Sequence, residues 1–176
     1  MTELLVRDAE VSDADALTAI YRHHVCHGTA SFEVDPPSVA EMARRIREIV
    51  DQAGLPYLVA EVDGVVRGYA YVVAYRSRPA YRFTLEDSVY VAPGWEGRGI
   101  GSALLAELIA RCEALSIRQV VAVIGDSANI ASTGLHERAG FVRAGTLVDV
   151  GWKHGQWLDT VFMQRRLGLG ADTPPE

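Results

Sequence analysis

The sequence predicts one α/β domain, a mixed and mostly antiparallel twisted sheet flanked by helices. Three observations carry this. The order of periodicities is strand, two helices, three strands, helix, strand, helix, two strands. No linker or internal repeat divides the 176 residues, a length suited to one domain with a real core. Between the third of the clustered strands and the next helix lies a glycine-rich turn. The domain is expected over 1–167, with a disordered tail at 168–176 that holds Gly, Asp and two Pro residues.

The elements follow in order. Residues 4–8 read as a short strand. Ser12 precedes an acidic turn with Asp13 and Asp15, then Leu17, Ile20 and Tyr21, which predicts a helix capped by a Ser or Asp oxygen. His27 to Pro37 is a loop. Ser38-Val39-Ala40-Glu41 forms a capping box, and Val39, Met42, Ile46 and Ile49 form the buried stripe of a second helix. Tyr57 to Val62 and Val65 to Tyr75 are strands joined by the hairpin signal Asp63-Gly64. After an Arg-rich segment comes a strand at about 84–91. The helix through Leu104, Leu105, Leu108, Ile109 and Cys112 follows the glycine turn. Gln119 to Ile124 is apolar and β-branched, as a strand covered on both faces should be. A short helix at 131–139 ends at Gly140, and strands at about 141–150 and 157–166 close the domain.

Composition narrows the function. A hydrophobic share of 49% and a charged share of 23% are those of a globular protein. A net charge of −6 argues against a nucleic-acid partner. No basic leader followed by an apolar stretch, and no apolar run near ~20 residues, is visible, so no membrane association is expected. Cys26 and Cys112 form neither a metal motif nor a disulfide framework, which points to a reducing, cytoplasmic setting. His23 and His27 stand at i,i+4 spacing but have no third ligand with a matching pattern, so they read as structural and no metal is expected. Lys153 is the only lysine.

The most informative stretch runs from Val89 to Ser102, Val-Tyr-Val-Ala-Pro-Gly-Trp-Glu-Gly-Arg-Gly-Ile-Gly-Ser. Its glycines leave no Cβ to obstruct a ligand, and successive N–H groups at a helix start suit a pyrophosphate. Arg98 adds a charge. The turn lacks the Lys-Ser/Thr ending of a P-loop, and it follows several antiparallel strands rather than the first strand of a parallel unit.

That turn, with the strand before it and the helix after it, resembles the acetyl-CoA-binding motif of the GCN5-related N-acetyltransferase (GNAT) superfamily. Glu96 departs from the Gln or Arg at the motif's first position, leaving the backbone cradle of Gly97, Arg98, Gly99, Ile100, Gly101 and Ser102. Within the superfamily, several segments are similar to phosphinothricin acetyltransferases. They are residues 58–64, Glu86 to Val91, Val120 to Gly125, Leu135 to Phe141 and Lys153 to Asp159. The resemblance implies the GNAT fold, acetyl-CoA as co-substrate and no metal. It implies a small amino-acid-like acceptor of the phosphinothricin, methionine sulfone or methionine sulfoximine type, and a homodimer.

It also implies roles. Glu86 stands where these enzymes carry their proposed general base, and strand alternation puts Glu86, Ser88 and Tyr90 on one face with Asp87, Val89 and Val91 on the other. Asp87 is the second choice for base. Val89, Tyr90 and Val91 would run beside the pantetheine arm, with the Val89 amide as oxyanion donor, and Asn129 matches the family's cofactor-contacting asparagine. His136 stands at the place of the acid toward the CoA thiolate; proton transfer and mere positioning are both open. Arg76, Arg78 and Arg82 suit the acceptor's acid group, and Phe32 and Tyr81 its pocket walls. The competing readings are a non-catalytic acyl-CoA-sensing module, and an acetyltransferase for a protein N-terminus or a polyamine.

Overall fold

The computed structural model of the chain describes residues 3–175. Seven strands form one sheet in the order β1-β2-β3-β4-β5-β7-β6. β1 (Leu4–Asp8), β2 (Tyr57–Val62), β3 (Val65–Ala74) and β4 (Thr84–Val91) are successively antiparallel. β4 pairs in parallel with β5 (Gln119–Gly125), and β7 (Gln156–Arg166) lies antiparallel between β5 and β6 (Val142–Lys153). The β2–β3 turn takes positive φ at both Asp63 and Gly64, matching the right-handed twist of the flanking strands.

Helices cover the two faces. α1 (Ala14–His27) and α2 (Val39–Arg47, continued by a π turn at Glu48–Gln52) bury Leu17, Tyr21, Val25, Met42 and Ile46 against Tyr57, Val59 and Tyr69. On the opposite face α3 (Ile100–Ala114) packs Leu104, Leu105 and Leu108 on Leu58, Ala70, Val72 and Leu85. α4 (Ile130–Arg138) lies beside the end of β5.

Two local expectations change. Neither Ser12 nor Asp13 caps α1 with its side chain. Asp13 turns back to accept from the Glu10 N–H at 2.8 Å and takes both guanidinium arms of Arg7 at 2.8 Å, which engages both of its oxygens away from the α1 N–H groups. On α2, Ser38 caps as expected, accepting from the Glu41 N–H at 3.1 Å, but Val39 is exposed because the apolar stripe begins at Met42. Of the expected tail, residues 168–171 make turns, with Arg118 donating to the Gly170 carbonyl, and Glu176 lies outside the described residues.

One break in the sheet positions everything else. β4 and β5 pair only from Thr84–Gln119 to Asp87–Ala122, although β4 runs on to Val91 and β5 to Gly125. The strands splay there. The Ala92 N–H donates to the Arg67 carbonyl, and the Thr84 carbonyl accepts from Tyr75, so even-numbered β4 residues direct their backbone groups to β3. Val89 and Val91, of opposite parity, direct theirs into the splay, where β5 does not meet them.

Candidate active site

The splay opens on a cleft of about 490 Å³ bordered by Val89, Val91, Gly97, Gly99, Ser102 and Asn129. Its lower wall is the glycine turn. Gly97 and Gly99 take φ of 73° and 83°, and no atom lies within 4 Å of where a Cβ would stand on either. The backbone there is open to a ligand, and Gly99 is the N-cap of α3, so the positive end of the helix faces the same space. Gly101 serves packing as well: a Cβ would meet Leu135 at 3.3 Å. Ile100 buries its side chain in the core and leaves only its backbone to the turn. Arg98 lies over the Trp95 ring, 4.6 Å from the centroid, with Arg67 at 4.4 Å over the same ring.

α4 supplies the other wall. The Asn129 Oδ1 accepts from the Ser132 N–H at 3.1 Å, so this asparagine caps the helix whose face borders the cleft. Ala131, Ser132, Leu135 and Arg138 share that face at helical spacing, placing a guanidinium beside the glycine turn.

At the apex sits a buried pair. The His136 Nε2 is 2.9 Å from the Asp87 Oδ2 and its Nδ1 is 2.8 Å from the Ser132 carbonyl. Both side chains are almost wholly buried. Burial by itself lowers the imidazole pKa, but the hydrogen bond and charge of Asp87, with the Ser132 carbonyl, outweigh it and hold the pKa above its ordinary value. Two acceptors on two ring nitrogens suit an imidazolium. The Asp87 Oδ1 is buried with no partner.

Glu86 projects to the other face, between Val73 on β3 and Val121 on β5. Burial raises its pKa, the Arg76 charge opposes that, and the Asp87 charge adds to it. The two adjacent carboxylates thus serve opposite sides of the sheet, as strand alternation requires: Asp87 with Val89 and Val91 toward α3 and α4, Glu86 with Ser88 and Tyr90 toward α1 and α2.

A family model for the acetyltransferase (GNAT) family matches residues 17–141. The chain belongs to that family. A phosphinothricin N-acetyltransferase of Alcaligenes faecalis is 58% identical over 99% of this chain and 87% of its own length. An L-methionine sulfoximine/L-methionine sulfone acetyltransferase of Salmonella typhimurium is 39% identical over 93% of this chain and 95% of its own. A crystal structure of a phosphinothricin acetyltransferase from Sinorhizobium meliloti in complex with AcCoA superposes with a TM-score of 0.94, at 49% identity, covering 98% of this chain and 93% of that one. Family membership makes the chain an acetyl-CoA-dependent N-acetyltransferase with the GNAT fold.

In this acetyltransferase the remaining predicted residues divide. Arg76 lies over the Tyr75 ring, 4.3 Å from its centroid, and its charge reaches Glu86. Tyr81 meets Tyr75 edge-on and borders a cleft of about 550 Å³ over the β5–β7–β6 face. Arg78 is exposed just before the short 3-10 turn Pro79–Tyr81, and Arg82 lies over Phe83. Phe32 wedges against Gly125 and Gly151, so it anchors its loop on β5 and β6. His23 and His27 rings are 5.2 Å apart, and no group of three metal-ligating side chains occurs among the described residues.

Sequence reasoning missed two contributors, and it noted the lone lysine without finding its contact. His24 Nε2 lies 2.8 Å from the Val91 carbonyl at the cleft. Arg138 borders it, a position that the 131-135-138 spacing on α4 could have signalled. Lys153 is buried and donates to the Ser31 carbonyl at 2.6 Å, tying the α1–α2 loop to β6 across 122 positions of sequence; no local signal marks that contact.

Proposed function

We propose that this enzyme transfers acetyl from acetyl-CoA to the amine of a small amino-acid-like acceptor, of the methionine sulfone, methionine sulfoximine or phosphinothricin type, with Glu86 as general base. One observation carries the reading: the β4–β5 splay, with a glycine cradle and α4 on one side and a half-buried carboxylate on the other.

Bound acetyl-CoA supplies a thioester carbonyl for the amine to attack. The backbone of Gly97 to Ser102 and the Arg138 guanidinium would hold its phosphates, and Val89 and the Val91 N–H would offer it strand groups that β5 does not meet, the Val91 carbonyl being engaged by His24. The Val89 N–H donates toward the thioester oxygen as charge develops there, a preorganised dipole that needs no rearrangement. Glu86 takes the ammonium proton and frees the nitrogen lone pair. Attack would form the C–N bond, break the thioester C–S bond and release CoA as a thiolate, which takes up the proton that the new amide nitrogen loses. Burial of Glu86 raises its proton affinity, and the Arg76 charge opposes that rise. Arg76 faces the acceptor's acid group. His136, with both nitrogens engaged, holds a proton at the apex and positions α4 against β4.

The exposed apolar row Leu147, Val148, Val150 and Trp152 on β6, with Trp157 on β7, supports a homodimer. No helix among the described residues is long and apolar enough to cross a membrane. The unpaired thiols Cys26 and Cys112 and the need for acetyl-CoA support a cytoplasmic setting.

The test is thiol release from acetyl-CoA with methionine sulfone, phosphinothricin, a polyamine and a peptide N-terminus. Release with the first two supports the reading. In Glu86→Gln, turnover should fall by about 10²–10⁴ with acetyl-CoA binding retained. Full activity of that variant removes Glu86 from the mechanism.

A further inference from the structure

Beneath α1 and α2 lies a third cavity, of about 200 Å³, walled by Tyr21, Met42, Ile49, Tyr57, Tyr69 and Tyr71. No step above uses it. We propose that this cavity receives the acceptor's side chain and selects amino acids whose side chain is uncharged and ends in an apolar group; the inference rests on the acetyl-transfer reading.

Three features point there. The first is position. Tyr71 and Val73, which border the cavity, are the β3 partners of Ser88 and Glu86 on β4. Directly paired residues share a face, with Cβ atoms about 5 Å apart. An amino acid with its amine at Glu86 therefore has the cavity one strand spacing away.

Size is the second. An apolar cavity of about 150 Å³ accepts a benzene molecule. A methionine, leucine or phenylalanine side chain is of that order.

The third is charge. Arg45 borders the cavity but is held by Glu33 at 2.8 Å and Glu41 at 3.0 Å. Glu48, the other charged neighbour, pairs with Arg44. The remaining lining is aromatic or aliphatic, so an anionic side-chain end would enter without a free counter-charge, which is unfavourable. Methionine sulfone and phosphinothricin are nearly isosteric and differ in just this respect: the sulfone is neutral and the phosphinate anionic.

The experiment measures kcat/KM by thiol release for L-alanine, L-norvaline, L-norleucine, L-methionine sulfone and phosphinothricin. Expected is a rise of about fourfold per methylene from alanine to norleucine, the worth of one buried CH₂, and a preference of about tenfold or more for the sulfone over phosphinothricin. In Ile49→Trp, which fills the cavity from the π turn after α2, the norleucine-to-alanine ratio should fall by about tenfold, with folding checked by circular dichroism. A flat series, a preference for phosphinothricin, or an unchanged ratio in the folded variant overturns the proposal. If the variant does not fold, the wild-type series decides alone. Absence of thiol release with every amine would instead overturn the acetyl-transfer reading.

Discussion

The Asp87–His136 pair shows how a single residue can act through another. Asp87 meets the imidazole through its Oδ2, and its hydrogen bond and charge hold the His136 pKa above its ordinary value against the burial that lowers it. Removing one member of a buried pair leaves the other uncompensated, at about 3–5 kcal/mol. Asp87→Asn should therefore lower both stability and the His136 pKa, read by denaturation and by NMR titration of the imidazole. The sign with pH follows from the raised value. The stabilisation that charged His136 provides is complete below the unfolded imidazole pKa near ~6.5 and is lost as pH rises through the higher folded value. The stability difference between wild type and His136→Gln should shrink over that window; a constant difference would mean the imidazole is neutral throughout. Arg138 permits a simpler test: Arg138→Ala should raise the KM for acetyl-CoA by about tenfold with little change in kcat, since one phosphate contact to a charged group is worth roughly 1.5 kcal/mol.

At the scale of elements, what was readable in the chain and what was not separates by contact range. The Ser38 cap, the Asp63-Gly64 turn, the glycine cradle and the opposite orientations of Glu86 and Asp87 all depend on neighbours within a few residues, and the sequence carried each of them. Asn129 was singled out for the cofactor, and its role as a cap, with the Oδ1 already taken by Ser132, emerges only with the helix. His24 on the Val91 carbonyl and Lys153 on the Ser31 carbonyl join residues 67 and 122 positions apart, and no periodicity records such contacts. The α1–α2 loop illustrates the consequence. It crosses the end of β5, where a Cβ on Gly125 would stand 2.6 Å from the Thr29 carbonyl and 2.9 Å from the Phe32 ring. Gly125→Ala must displace that backbone, which should cost about 1–3 kcal/mol, or some 2–4 °C of Tm per kcal/mol in a chain of this size. Because Ala30 of the same loop borders the cleft, acetyl-CoA affinity should weaken as well. A variant that loses stability but binds acetyl-CoA as tightly as wild type would show that the loop does not shape the cleft.

The two edges of the sheet are treated differently, and that contrast bears on the whole molecule. β1, at one edge, is only five residues long and exposes Leu4 and Leu5, but its Arg7 joins Asp13 at 2.8 Å and Glu61 at 2.5 Å, and a short, ion-paired edge discourages strand addition. β6, at the other, spans twelve residues and exposes Leu147 at 51%, Val148 at 66%, Val150 at 50% and Trp152 at 59% of their surface, with Trp157 at 61% beside them. Contiguous apolar exposure on a long edge strand is a liability unless it is covered, and a second copy offers the same row in return. A stable interface of this kind buries about 800 Å² per partner. The enzyme should therefore sediment as a dimer at micromolar concentration, and Val148→Asp combined with Trp157→Arg should shift it to monomer, because each places a charge in the row. The cleft bordered by Tyr81 opens over this same β5–β7–β6 face, with Thr146 and Leu147 on its rim, so a monomeric variant should also show an altered KM for the acceptor. A wild-type chain that sediments as a monomer would leave the exposed row unexplained by self-association and would sink this reading.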